Sequence, residues 1–440
     1  MTELFLAYLW QFQYFDKQNL QTTAQEAINI LQIGIQNTDA GADFQEAKIE
    51  IGNKLWHGSV EIHLKDTDWQ AHKHSQNKQY NNVILHVVWE KLSTENMQRQ
   101  DGSMIPTLEL KNRVSALLIE KYQDFRNPKD TIPCESYWKS IDRLKILSML
   151  DNVLVQRLQR KAQNILDRLA ENTGDWEETS YQILAQSFGF KVNQEAFLAL
   201  AKSLPFKIIS KHSTELQDIE ALIFGQSGLL ENPTSTENSE NTAHQQQYAT
   251  TLLKNYAYLQ HKYNLSPIEK ERWKYLRLRP ANFPMIRLAQ FVSLIFEQKL
   301  FFTNFMQAET AKKLQTLLSV KASPYWYAQN NNAKTGTEKT GTEKIGNLGK
   351  ESANNLIINT IIPLWTAYSM HKDTDMYMDK AIKILEELPA EHNKITELWD
   401  NIGLKIQNAF DAQASIELYN EFCSKKQCLQ CRIGNAILHS

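Results

Sequence analysis

Two carboxylates and an imidazole carry the first chemistry in this chain. Asp43 lies in "GADFQEAKIEIG", and Glu61 and His63 lie in "KLWHGSVEIHLK" shortly after it. Carboxylate oxygens suit Mg²⁺ or Mn²⁺, which bind through one or two carboxylates together with water and phosphate. An ion held this way polarises a phosphate and lowers the pKa of an attacking water. His63 titrates near neutrality, so it offers a base, a cation or a ligand that moves the preference toward Mn²⁺ or Zn²⁺. Five of the eleven histidines fall between 57 and 86: His57, His63, His72, His74 and His86. In "DWQAHKH", His72 and His74 form a His-x-His pair whose rings point the same way if the segment is extended. Such a pair would join Asp43 and Glu61 around one transition metal. The plainer reading, which we prefer here, makes His86 a core histidine and His72 and His74 surface polar residues.

A second donor set stands near the other end. "CSKKQCLQC" places Cys423, Cys428 and Cys431 in a C-x4-C-x2-C run. In a cytosolic chain such spacing points to metal or redox use more than to a disulfide. Three thiolates need a fourth ligand for tetrahedral Zn²⁺, either His439 or the distant Cys134, and an iron–sulfur cluster is the alternative. The competing reading is a Cys-rich turn without metal. No thioredoxin-like βαβ pattern surrounds Cys428 and Cys431, which disfavours a redox pair.

The elements that must position these residues are legible. Residues 2–15 place apolar groups at helical spacing, with Thr2 as a cap. "AINILQIG" reads as a strand. The runs ending and starting at Gly52-Asn53 read as an antiparallel hairpin. "NNVILHVVWE" is a near-continuous β-branched run, typical of a buried strand, and "MIPTLEL" adds an edge strand. On the second hairpin strand Glu61, His63 and Lys65 share one face, so Lys65 reaches the same side as Glu61. Lys48 has the wrong parity to join Asp43 unless a bulge intervenes. A polar solvent face with no chemistry is the alternative for this strand.

From about residue 111 the pattern is helical. Leu144, Leu147, Leu150, Leu154, Leu158, Ile165 and Leu169 mark one stripe of a long helix, with Arg143, Arg157, Arg160, Lys161 and Arg168 on its other faces. The organisation expected is an α/β part over 1–110, helical regions over 111–230, 250–327 and 351–440, a flexible loop at 231–249 and a disordered loop at 328–350. The last carries "TGTEK" twice in tandem. Asn282 is expected to cap a helix whose first turn holds Pro284. "ERWKYLRLRPANFP" interleaves Arg272, Lys274, Arg277 and Arg279 with Trp273, Tyr275 and Phe283. That mixture suits a nucleic-acid backbone and stacked bases. The preferred reading is a helix whose aromatics enter the core while its charges are solvated.

The chain has 440 residues with 48 basic and 50 acidic side chains, so any nucleic-acid site must be a local patch. The N-terminus lacks a signal-peptide pattern and no apolar run is long enough to span a membrane, so a cytoplasmic protein without a membrane partner is expected. There is no P-loop, dinucleotide glycine pattern, G-x-S-x-G or H-E-x-x-H. Nothing here speaks to oligomeric state.

The phrases "GADF", "VEIH", "DWQAHKH", "VILHVV", "FGFKVN", "IEALIFGQSGLL", "LRPANFP", "INTIIP" and "FCSKKQCLQCRIG" resemble an uncharacterised bacterial family, domain of unknown function 2851. Members usually read Gly-Pro-Asp-Phe where this chain has Gly41-Ala42-Asp43-Phe44. That resemblance implies no activity. The N-terminal element order also resembles the core of the PD-(D/E)xK nuclease superfamily. The resemblance implies an α+β fold: a restriction-endonuclease-like mixed sheet with flanking helices, followed by a mainly helical region. It implies that Asp43 and Glu61 hold Mg²⁺, that His63 stands at the lysine position, and that Glu3 adds a carboxylate from the first helix. The expected function is a metal-dependent nucleic-acid phosphodiesterase. The alternative is a non-catalytic nucleic-acid-binding or scaffold protein on a degenerate nuclease-like core.

Overall fold

The computed structural model describes residues 1–231, 240–326 and 346–440. Both TGTEK copies and residues 232–239 of the expected loop at 231–249 lie outside them. A helix, Glu240–Tyr263, begins inside that second stretch. Its polar start hid a buried row formed by Ala249, Leu252, Tyr256 and Leu259.

The chain divides into two compact units, Met1–Met149 with Leu418–Ser440, and Leu150–Glu417. The first holds the sheet and reaches well beyond residue 110. Helix α1 (Glu3–Phe12) starts at Thr2, whose Oγ1 accepts the Phe5 N–H at 3.2 Å. Tyr122 from a later helix, Ala116–Arg126, stacks on Phe5 at 3.8 Å. Lys121 of that helix donates to the carbonyls of Ile437 at 2.9 Å and Ser440 at 3.0 Å, tying in the C-terminal segment.

Six strands form one mixed sheet. They are β1 (Ile28–Gln32), β2 (Ile35–Gln36), β3 (Phe44–Ile51), β4 (Lys54–Lys65), β5 (Val83–Glu90) and β6 (Thr107–Glu109). The order is β1-β3-β4-β5-β6, with β2 also paired to β3. β3 and β4 are the expected antiparallel hairpin, and β5 runs parallel to β4. A parallel neighbour demands a crossover. Residues 66–82 provide it with a short helix, α2 (Asp68–Ala71), and two 3₁₀ turns. Buried Asp66 anchors its start by accepting the Leu92 N–H at 2.8 Å and the Ser93 N–H at 3.1 Å. Trp69 is fully buried under the crossover beside Ala42, Val83, Met97 and Ile105.

The second unit is helical among its described residues. Its long helix Arg143–Glu171, which begins in the first unit, buries Leu150, Leu154, Leu158, Ile165 and Leu169 as expected. Leu144 and Leu147 are exposed instead, because Ile146 and Met149 take the inward positions of the first turns. The cations on this helix are not a free positive face. Arg157 and Arg160 meet buried Glu417 at 2.9 and 2.6 Å, and Lys161 donates to Asn359 at 2.6 Å. Pro284 opens the helix Pro284–Gln298, but Phe283 is its cap residue. Asn282 closes a preceding 3₁₀ turn, where its side chain accepts from Arg287 at 2.5 Å.

Candidate metal centre

The site is built where β3 begins and β4 ends. Phe44 pairs with Val60, which sets Asp43 beside Glu61. The two acids brace each other through the backbone. Glu61 Oε2 accepts the Asp43 N–H at 3.2 Å, and Asp43 Oδ2 accepts the Ile62 N–H at 2.9 Å. The other Glu61 oxygen, Oε1, faces imidazoles, with His74 Nε2 at 3.3 Å and His63 Nε2 at 3.6 Å. His63 Nε2 also lies 3.1 Å from His72 Nδ1, while its Nδ1 lies 2.9 Å from His86 Nε2. One nitrogen each from His63, His72 and His74 falls within 4.8 Å of the others.

The crossover brings His72 and His74 to the sheet. Lys73 between them adopts a left-handed backbone, so the pair is a turn and not the extended His-x-His expected. Its rings still converge, because α2 ends at His72 and a 3₁₀ turn begins at His74. Tyr80 stacks on His74 at 3.7 Å, and Trp69 meets it edge-on at 5.3 Å. His74 is therefore buried, against the surface role preferred from sequence, while His72 is exposed.

Burial dominates the electrostatics. It pushes Glu61 up to about 8, with neighbouring Asp43 and Glu3 adding to the effect. Asp43 is raised by burial, against the hydrogen bond from Ile62. Burial and the adjacent rings of His86, His74 and His72 press His63 down to about 2. His86 is held at about 3 and His74 at about 4 by the same causes. At neutral pH these rings are uncharged and present lone pairs. His74 Nε2 and His86 Nδ1 are buried without a hydrogen bond of good geometry. Three imidazoles, of His63, His72 and His74, converging with a carboxylate in this way fit a borderline cation better than Mg²⁺.

The remaining expected residues divide. Glu3 stands close enough in α1 for its charge to act on both Asp43 and Glu61. Lys65 is exposed at the far end of β4, opposite Glu90. The bulge that Lys48 needed is present, since β3 carries an extra residue between Phe44 and Ala47. It restores Lys48 to the Glu61 face, but opposite His57, roughly 13 Å along the strand from Glu61. Cys134, Cys423, Cys428 and Cys431 all lie in the sheet unit and form no disulfide. His439 is not among them: its Nδ1 meets the Tyr14 hydroxyl at 2.8 Å. In the second unit Arg272, Lys274, Arg277 and Arg279 are exposed, and Trp273 is buried with its indole N–H on the Ser227 carbonyl at 2.9 Å. The segment is irregular, not the helix expected: Lys274 is pinned by the Asn193 side chain, and Arg277 has positive φ.

His86 is the participant that sequence reasoning assigned to the core alone. It is a core histidine and also the partner of His63. Its link depends on the parallel register that places it opposite Glu61.

Residues 3–394 match the family described as Protein of unknown function (DUF2851). The chain belongs to this family. The matched residues include every member of the carboxylate–histidine cluster and stop before Cys423. No curated protein matches the chain, and no solved structure does.

Proposed function

We propose that this member of DUF2851 is a cytoplasmic, metal-dependent phosphodiesterase acting on nucleic acid, with a restriction-endonuclease-like core. The observation that carries this reading is the convergence of Asp43, Glu61 and His63 at one place on the sheet, with Glu3 in electrostatic reach. Among the described residues no helix is long and apolar enough to cross a membrane.

Glu61, His63, His72 and His74 would hold the ion, which when bound supplies a polarised phosphate oxygen and a more acidic water. The Asp43 backbone N–H fixes the Glu61 carboxylate, and the Asp43 carboxylate, held by the Ile62 N–H, stands beside it. His63 acts as a ligand and not as a cation, since it is neutral throughout the physiological range. Lys65, on the same face of β4 but roughly 13 Å along the strand from Glu61, would supply the lysine's positive charge by reaching back toward the site. His86 orients the His63 ring, as outer partners of metal-bound imidazoles do. Exposed His72 marks the side from which a phosphate enters.

The test is cleavage of single- and double-stranded DNA and RNA with Mn²⁺, Zn²⁺ or Mg²⁺. Wild type should cleave at least one substrate, and Asp43→Ala and Glu61→Ala should each lose roughly a hundredfold or more. Equal activity in the variants would reject the reading. A second reading rests on the donor count: three imidazoles and Glu61 already make the closed four-ligand shell of a structural site. A protein that binds the ion and nucleic acid without cleaving would be the non-catalytic scaffold.

A further inference from the structure

Two stretches that the metal centre does not use, "FGFKVN" and "LRPANFP", meet within the second unit and line a cavity of about 180 Å³. Its walls are apolar over Phe188, Phe190, Phe197, Leu278 and Pro284. An apolar cavity of about 150 Å³ takes up benzene. This one therefore has room for a ring or short chain of that size and a small polar group.

One cation stands deep among these walls. Arg287, near the start of the helix Pro284–Gln298, lines the cavity and is only 6% exposed. A buried charge is costly unless an opposite charge meets it. The partners of this guanidinium are neutral. Nη1 donates to the Gln290 side chain at 2.9 Å, and Nη2 donates to the Asn282 side chain at 2.5 Å and the Ser352 hydroxyl at 3.1 Å. The Phe190 ring lies 4.2 Å from the guanidinium carbon, on a residue whose backbone is left-handed at φ 46°. Nε is buried and makes no hydrogen bond. Among the described residues no carboxylate pairs with Arg287, and burial alone shifts its pKa, down to about 10. It stays charged at neutral pH.

The field around the cavity has the same sign. The helices Gln194–Ser203 and Pro284–Gln298 both start at its wall, each without a side-chain cap. Their positive ends favour an anion. The helix Trp176–Phe188 ends there, but its last carbonyls are taken up by the N–H groups of Gly189 and Phe190. Glu195, the acid in these first turns, is exposed and does not line the cavity. Lys191 does line it, but it is exposed and its charge is screened by solvent. One buried cation is matched by one negative charge, and apolar walls by an apolar remainder. A doubly charged phosphate would leave a charge uncompensated. We propose that this cavity binds a small apolar monocarboxylate, with its carboxylate on Arg287.

The test is titration calorimetry of the full chain with benzoate, hexanoate, benzamide and inorganic phosphate. Benzoate or hexanoate should bind at one site per chain. Benzamide, which has the shape of benzoate without its charge, should bind about 10- to 100-fold more weakly than benzoate. Arg287→Met should lower the carboxylate affinity by a similar factor, and His63→Ala should leave it as in wild type. The comparison of benzoate with benzamide on wild type stands even if Arg287→Met fails to fold. No saturable carboxylate binding, benzamide bound as tightly as benzoate, or phosphate bound more tightly than either carboxylate would overturn the proposal. So would undiminished binding by a folded Arg287→Met variant, or binding lost in His63→Ala.

Discussion

At the scale of single residues, the proposed metal centre combines rings kept neutral by burial with a carboxylate that burial keeps protonated. Glu61, raised to about 8, must lose its proton to bind a cation. Titration calorimetry at pH 7 in buffers of differing ionisation enthalpy should therefore show release of about one proton per ion bound. Affinity should rise with pH and level off above about 8, and Glu61→Gln should remove most of that dependence. The histidines have the opposite sign. Their folded pKa values of about 2 to 4 lie below the unfolded value near 6.5, so the unfolded chain binds more protons in between. The histidines' contribution to the stability of the metal-free protein should be fully present above pH 6.5 and fall as pH drops from there, whereas that of Glu61 should fall as pH rises toward 8 and be absent from a Glu61→Gln variant, as denaturant midpoints would show. His86 meets His63 by a direct ring-nitrogen contact at 2.9 Å, so His86→Ala should weaken metal binding by about 10- to 100-fold. His63→Ala should weaken it more.

At the scale of elements, the site is held by a hairpin and a crossover. Gly58 lies where β4 passes closest to the chain entering β5. A Cβ there would meet the Asn82 carbonyl oxygen at 2.3 Å and Ile84 at 2.5 Å. Gly58→Ala should cost about 1–3 kcal/mol in chemical denaturation, because backbone and a β-branched side chain must shift. Trp69 supports both the crossover and the His74 ring, and Trp69→Ala should cost about 3–5 kcal/mol and lower metal affinity with it. The hairpin, the buried strand and the face shared by Glu61 and His63 were legible from period-two patterning and the Gly-Asn turn. The turn at Lys73 and the pairing of Glu61 with His86 were not. They follow from crossover geometry and strand register, which no local pattern encodes. The surface role preferred for His74 failed for that reason, since its burial comes from Trp69 and Tyr80 closing over it.

At the scale of the whole molecule, the division between units did not follow composition. Helical sequence after residue 110 belongs with the sheet as far as Met149, and so does the C-terminal segment. Buried contacts between residues far apart in the chain made that assignment, and periodicity could not see them. Arg272, Lys274, Arg277 and Arg279, exposed in the second unit, are the candidate nucleic-acid contacts of the proposed function. Replacing Arg272, Lys274, Arg277 and Arg279 by Ser should weaken binding to all sequences alike. The slope of log affinity against log salt should also flatten, by about one for each phosphate no longer neutralised, with metal content unchanged. The centre itself is tested most directly by anomalous diffraction at the metal edge from crystals grown with Mn²⁺ or Zn²⁺. One peak is predicted about 2.0–2.2 Å from Glu61 Oε1 and from a nitrogen of each of His63, His72 and His74. No peak among these residues at saturating metal, or an ion bound away from the histidines, would contradict the account.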